Sequence, residues 1–201
     1  MEVRAITDDV RGSFGAGVLT VLLMVVAYFA YKSYRARAGR RWMPRVLLAE
    51  AARTPIVALV VGLPLLASLA WTFGLAYAVY GTLNLMTSTL GLVLFGMGID
   101  YGIHFYARYA EERAHGRSVA GATEHTFMST GQALVATATT TAAAFFLLMV
   151  ADFRGFSEFG FIAGTGILLA LVSMTVILPA AIAFGERMRL LNLEGIVPPE
   201  E

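Results

Sequence analysis

From Thr54 to Ile99 the sequence carries no charged side chain, and the first to appear, Asp100, is followed by a second stretch without Asp, Glu, Lys or Arg that lasts until Arg108. A run of this length exceeds the roughly 20 apolar residues needed to cross a bilayer. It is interrupted once by turn chemistry, Gly81-Thr82-Leu83-Asn84, so it reads as two membrane helices in a tight antiparallel hairpin, about 55–80 and 85–106. At ~1.5 Å per residue the second helix covers roughly 30 Å and sets Asp100 about 12 Å below Arg108, at membrane depth and not at the interface. A carboxylate there costs on the order of 3 kcal/mol or more to insert, so such residues normally face a bundle interior or a cavity and serve ion or proton movement. Asp100 is therefore the expected functional residue, and it is expected to face inward.

The rest of the chain fits an integral membrane protein. Hydrophobic residues make up 58% and charged residues only 14%, against about 25% charged in soluble domains. Nothing in the sequence points to nucleic acid. The absence of cysteine excludes disulfides and thiolate metal sites, and His104, His115 and His125 lack metal-ligand spacing. Enzyme motifs are missing too: Gly96, Gly98 and Gly102 have the wrong spacing for a dinucleotide loop and lie inside a span, and there is no GxSxG or HExxH. No cofactor is expected beyond the proton as coupling ion.

Five spans are expected in all, at about 12–31, 55–80, 85–106, 131–150 and 160–184, forming a single all-α membrane domain over residues 1–201. Lys32 to Thr54 is a basic loop within which Trp42 to Arg53 has the pattern of a short interfacial helix. Thr54-Pro55 has the form of an N-cap followed by a first-turn proline opening the second span, and Pro64 is expected to kink it. Residues 108–130 form a polar elbow, amphipathic from Ser118 onward with Val119, Ala122, Thr126 and Phe127 on one face. In the short loop before the fifth span, Asp152, Arg154 and Glu158 read as solvated charges or a local ion pair. Twelve of the Lys and Arg residues then fall on one side of the membrane and three on the other, which puts the N-terminus outside and the C-terminus in the cytoplasm. A charged tail exported without a signal peptide normally follows an earlier span, so the chain reads as part of something longer.

Helix faces sharpen the functional expectation. Gly96, Asp100, His104 and Arg108 recur every four residues, laying a small residue, an acid, an imidazole and a base along one face, as a proton path would. Gly98 and Gly102 allow a neighbouring helix to approach closely, as do Gly160 and Gly164 on the fifth span. Thr137, Thr140 and Thr141 on the fourth span share a three- or four-residue spacing suited to hydrogen bonds across to the acid.

These residues also carry a family likeness. GMGIDYGIHFYARYAEER, followed by STGQALVATATTTAAAFF and by ADFRGFSEFGFIAGTGILLALVSMTVILPAAIAF, resembles the MMPL branch of the RND superfamily of proton-driven transporters. The resemblance implies the five helices that follow the extracytoplasmic domain in one half of such a transporter, in a bacterial inner (plasma) membrane. It implies that Asp100 and Tyr101 form the proton-relay pair and that Thr140 and Thr141 are the family's paired threonines. There are departures: Ala144 stands where a glycine is usual, and Lys32 to Thr54 is longer than the usual connection. The first helix, the extracytoplasmic domain and the second half have no counterpart in the chain. The expected function is proton-driven movement of lipids or other hydrophobic molecules, in partnership with a second transporter half or a second copy. The alternatives are a non-transporting lipid-binding module like a sterol-sensing domain, and an incomplete fragment of a full transporter.

Overall fold

A computed structural model describes residues 44–82, 85–188 and 191, together with scattered positions between 16 and 31, all helical. Nine of the twenty residues of the first expected span and the basic stretch from Lys32 to Met43 lie outside the described residues, as do the side chains of 44–55 and 85–88. Five α-helices follow: α1 Pro44–Tyr80, α2 Leu85–Ala114, α3 Val119–Thr126, α4 Gln132–Leu147 and α5 Arg154–Arg187. A π-helical turn, Phe127–Gly131, joins α3 to α4, and a 3-10 turn, Leu148–Val150, closes α4. No strand occurs among the described residues, and four helical stretches are long and apolar enough to cross a membrane. Helix is what such sequences must form, because within a bilayer only intrahelical bonds satisfy every backbone group.

The boundaries differ from the sequence expectation at three points. Thr54-Pro55 does not open a helix: α1 begins at Pro44 and runs unbroken through Pro55 to Tyr80, so the expected interfacial helix and second span are one element. The strong helix formers in VLLAEAAR, ahead of Pro55, outweigh its missing donor. α2 extends two turns past its expected exit, because YAEERA favours helix and, as shown below, its charges find partners. α5 begins at Arg154, leaving only Ala151–Phe153 as loop.

Helix ends are set by two left-handed glycines. Gly81, with φ +72°, lets its N–H bond back to the Tyr77 carbonyl at 2.8 Å, and Gly116, with φ +80°, ends α2. Ser118 then caps α3, its hydroxyl accepting from Gly121 N–H at 3.1 Å. Ala122 and Thr126 of α3 are buried, and Val119 and Phe127 are half-buried.

α5 is the hub, packing against α1, α2 and α4. Missing side chains make this closeness feasible: a Cβ on Gly160 would lie 2.5 Å from the Phe145 carbonyl oxygen, and one on Gly164 would lie 2.6 Å from the Phe146 ring. On α2, a Cβ on Gly98 would meet Leu65 at 2.5 Å, and one on Gly102 would meet Val61 at 2.6 Å and Met174 at 3.2 Å. Around these contacts Val61, Leu65, Leu90, Phe95, Ile162 and Ile167 are fully buried. Buried hydroxyls on the α1–α5 seam are satisfied by backbone: Ser68 donates to Leu65 O, Thr72 to Ser68 O, and Ser173 of α5 to the carbonyl of Pro64. The bilayer offers no water for them, so these bonds are required.

Candidate functional site

Successive residues on a helix point about 100° apart, so adjacent side chains cannot share a direction. On α2 this separates Asp100 from Tyr101. Asp100 is exposed on the surface of the bundle, whereas Tyr101 is turned inward and only 5% exposed, beside Ile99 and Phe105. Within the described bundle Asp100 therefore does not face inward. The buried side of α2 is filled by Leu94, Gly98, Tyr101, Gly102 and Phe105, which leaves the acid on the exposed side, where two turns earlier Gly17 of the first span lies against Leu92.

One turn further along α2, His104 is exposed on the same side, and one turn earlier a Cβ on Gly96 would meet nothing within 4 Å. Among the described residues neither Asp100 nor His104 has a hydrogen-bonding or ion-pair partner, and no hydrogen bond joins Asp100 to Tyr101. An acid and an imidazole one turn apart thus stand open at membrane depth. Gly98 and Gly102, two residues either side of Asp100, are the packed ones.

The threonines are not brought to the acid. Thr137 and Thr140 are exposed and Thr141 is half-buried. Thr140 donates to Ala136 O at 2.9 Å and Thr141 to Thr137 O at 2.8 Å, so both hydroxyls serve α4's own backbone. α4 packs on α5 through Leu134, Ala138 and Ala142, and α5 stands between it and most of α2. α2 meets this part of the chain lower down, where Phe105 and Phe127 of the π turn pack edge to face with centroids 5.1 Å apart.

The sequence reading missed a second feature, the Arg108–Arg117 end of α2, where Arg113 and Arg117 had been counted only as topology signals. Arg108 pairs with Glu111 at 3.1 Å and Glu112 at 2.6 Å, and Arg117 pairs with Glu112 at 2.7 Å. Arg113 reaches across to Glu186 near the end of α5 at 2.9 Å. The four-residue spacing of Arg108 and Glu112 was a readable signal. The partnership of Arg113 with Glu186 had none. At the other end of α5, Arg154 and Glu158 form the local pair at 2.6 Å, but the Glu158 side chain is buried and not solvated.

Comparison with known proteins gives this open face a context. The family model described as the MMPL family matches residues 45–195. The chain belongs to the MMPL family. That family lies within the RND superfamily of transporters, and the chain is a multi-pass membrane protein. It is 35% identical over 135 residues to a membrane protein of Methanocaldococcus jannaschii, covering 67% of this chain and 35% of that protein. It is 32% identical over 165 residues to the hopanoid transporter HpnN of Burkholderia multivorans, covering 82% of this chain and 16% of the relative. The HpnN of Rhodopseudomonas palustris is 27% identical over 185 residues, 92% of this chain and 18% of its own length. The chain thus spans about a third or less of each of these relatives.

Proposed function

We propose that this chain forms the transmembrane half of a proton-driven transporter of lipids or other hydrophobic molecules, with Asp100 as the proton-carrying group. The observation that carries the reading is the open face of α2, where Asp100 and His104 stand at membrane depth without partners among the described residues. Facing lipid, a carboxylate is costly. Facing a second transporter half or a second copy of this chain, it lies in a seam between moving bodies. The free space at Gly96 suits the close approach of such a helix. An acid whose surroundings alternate between apolar and polar takes up and releases a proton in turn. Each proton that crosses delivers about 2.3 kcal/mol per 100 mV, which drives the rocking of one half against the other.

Tyr101 supports this role from within the bundle, by holding the buried side of α2, and His104 serves as the next proton acceptor along the open face. Thr137, Thr140 and Thr141 contribute only if α4 moves relative to α2 during the cycle. The substrate class follows the hopanoid transporters to which the chain is similar. The membrane is the bacterial plasma membrane, with the Arg108–Arg117 end of α2 in the cytoplasm and the loop around Arg154 outside.

The test is hopanoid transfer from proteoliposomes to acceptor vesicles under an imposed pH gradient, with the complete assembly. Asp100→Asn should insert normally and lose gradient-driven transfer; undiminished transfer in that variant refutes the reading. The orientation is checked separately in a chain that has no native cysteine. In intact cells, impermeant maleimide added outside should label Arg154→Cys and leave His115→Cys unlabelled.

A further inference from the structure

Glu186 joins two helices. Its carboxylate accepts Arg113 Nε on Oε1 at 3.0 Å and Arg113 Nη2 on Oε2 at 2.9 Å, and the Tyr109 hydroxyl donates to Oε1 at 2.8 Å. Three bonds from α2 therefore converge on one carboxylate of α5, and the two ionic side chains are only 17% and 10% exposed. Arg113 is itself steadied, because its Nη1 donates to the carbonyl of Arg117, which the left-handed turn at Gly116 folds back. Arg117 continues to Glu112 and Glu112 to Arg108, two turns along α2 from Asp100. Three arginines and three glutamates (Glu111, Glu112 and Glu186) make the cluster neutral, so it is a closed contact and not a patch seeking lipid phosphate.

The contacts between α2 and α5 within the bilayer are of a different kind. Gly98 lies near Ala170, Gly102 near Met174, and Leu94 near Gly166. These are small, apolar and non-directional, and lipid tails compete for apolar contact on nearly equal terms. Such a seam allows one helix to turn against the other. A bidentate guanidinium–carboxylate pair with a third hydrogen bond does not, because its planar fork fixes both distance and angle.

The geometry points to Arg113 and Glu186 as positioning residues that set the rotation of α2 on α5, and so hold Asp100 and His104 on the open face. This goes beyond the transport reading and does not depend on Asp100 carrying a proton.

The test uses paired spin labels on the full chain in lipid nanodiscs. One pair, at His115 and Met188, sits beside the clamp. The other, at Val93 and Val172, sits far along the same two helices; all four residues are exposed. Both pairs should give narrow distance distributions in the otherwise native chain. Arg113→Ala, and Glu186→Gln which keeps the side-chain shape, should each at least double the width at both pairs. Arg113→Lys, which keeps the charge and loses the fork, should fall between. The double variant Arg113→Ala/Glu186→Gln should be no wider than the broader single, since both changes cut one link. An unchanged Val93–Val172 distribution in Glu186→Gln and Arg113→Ala would reduce the clamp to a local contact and overturn the proposal. A double variant broader than either single would overturn it as well. Failure of the transport reading is registered elsewhere, by hopanoid transfer in Asp100→Asn.

Discussion

The middle and the C-terminal end of α2 treat charge in opposite ways. From Arg108 to Arg117 every acid and every arginine has an ionic partner, and Glu112, only 3% exposed, is held between two arginines. About one and two turns earlier on the same helix, His104 and Asp100 have none among the described residues. Solvation alone would predict the reverse, because pairing is most needed where water is absent. Charges that hold the fold together are thus satisfied at the watery end of α2, and the charge in the apolar layer has no partner among the described residues.

The largest expected effect tests the open middle. Asp100→Asn should reduce gradient-driven transfer by at least ~10-fold while leaving the melting temperature in detergent unchanged, since an unpaired group contributes little to the chain's own stability. A large fall in melting temperature would mean that Asp100 is a structural residue after all, and the contrast along α2 would fail.

Next comes the paired end. Glu186→Ala strands Arg113 and the Tyr109 hydroxyl, and for a pair that is mostly but not wholly buried the loss should be about 2 kcal/mol, read as a melting temperature lower by roughly 5 °C. A change within error would show that the Arg108–Arg117 cluster is no more than a set of surface pairs.

The smallest effect compares two glycines on the same helix. Gly102→Ala drives a methyl against Val61, a stiff β-branched neighbour, and should cost about 1–2 kcal/mol in thermal melting. Gly96→Ala meets open space, so it should leave melting unchanged or raise it slightly, as helix propensity alone dictates, by under about 1 kcal/mol. Its effect should appear instead in native gels as weaker association. Equal losses of stability in the two variants would mean that the face at Gly96 is already covered within the chain.

The broad outline was legible from charge alone. The gap from Thr54 to Ile99 and the turn at Gly81 announce the hairpin, and the four-residue recurrence from Gly96 to Arg108 places Asp100 and His104 on one face. Which way that face points was not legible. Gly98, Gly102 and Tyr101 are buried with Asp100 turned outward, and the groups they meet or that fix the helix, Leu65, Val61, Met174 and Glu186, are far away in sequence. Pairing of Arg113 with Glu186 was hidden for the same reason. Proline misled at residue 55, where rules drawn from helix starts gave way to the strong helix formers ahead of it.

The π turn at Phe127–Gly131 bears on how a chain of this kind tolerates changes in length. A π turn holds one residue more than an ordinary helical turn, while the helices on either side keep their facing. Removal of a single residue there, Ser129 for instance, should relax the turn to regular helix, with Ala122 and Thr126 still buried and the Leu134, Ala138 and Ala142 stripe still on α5. The same deletion five residues later would swing the rest of α4 by about 100° and turn that stripe out into the lipid. Insertions and deletions in this part of the molecule should therefore survive at the junction between the elbow and the span, and nowhere else along α4.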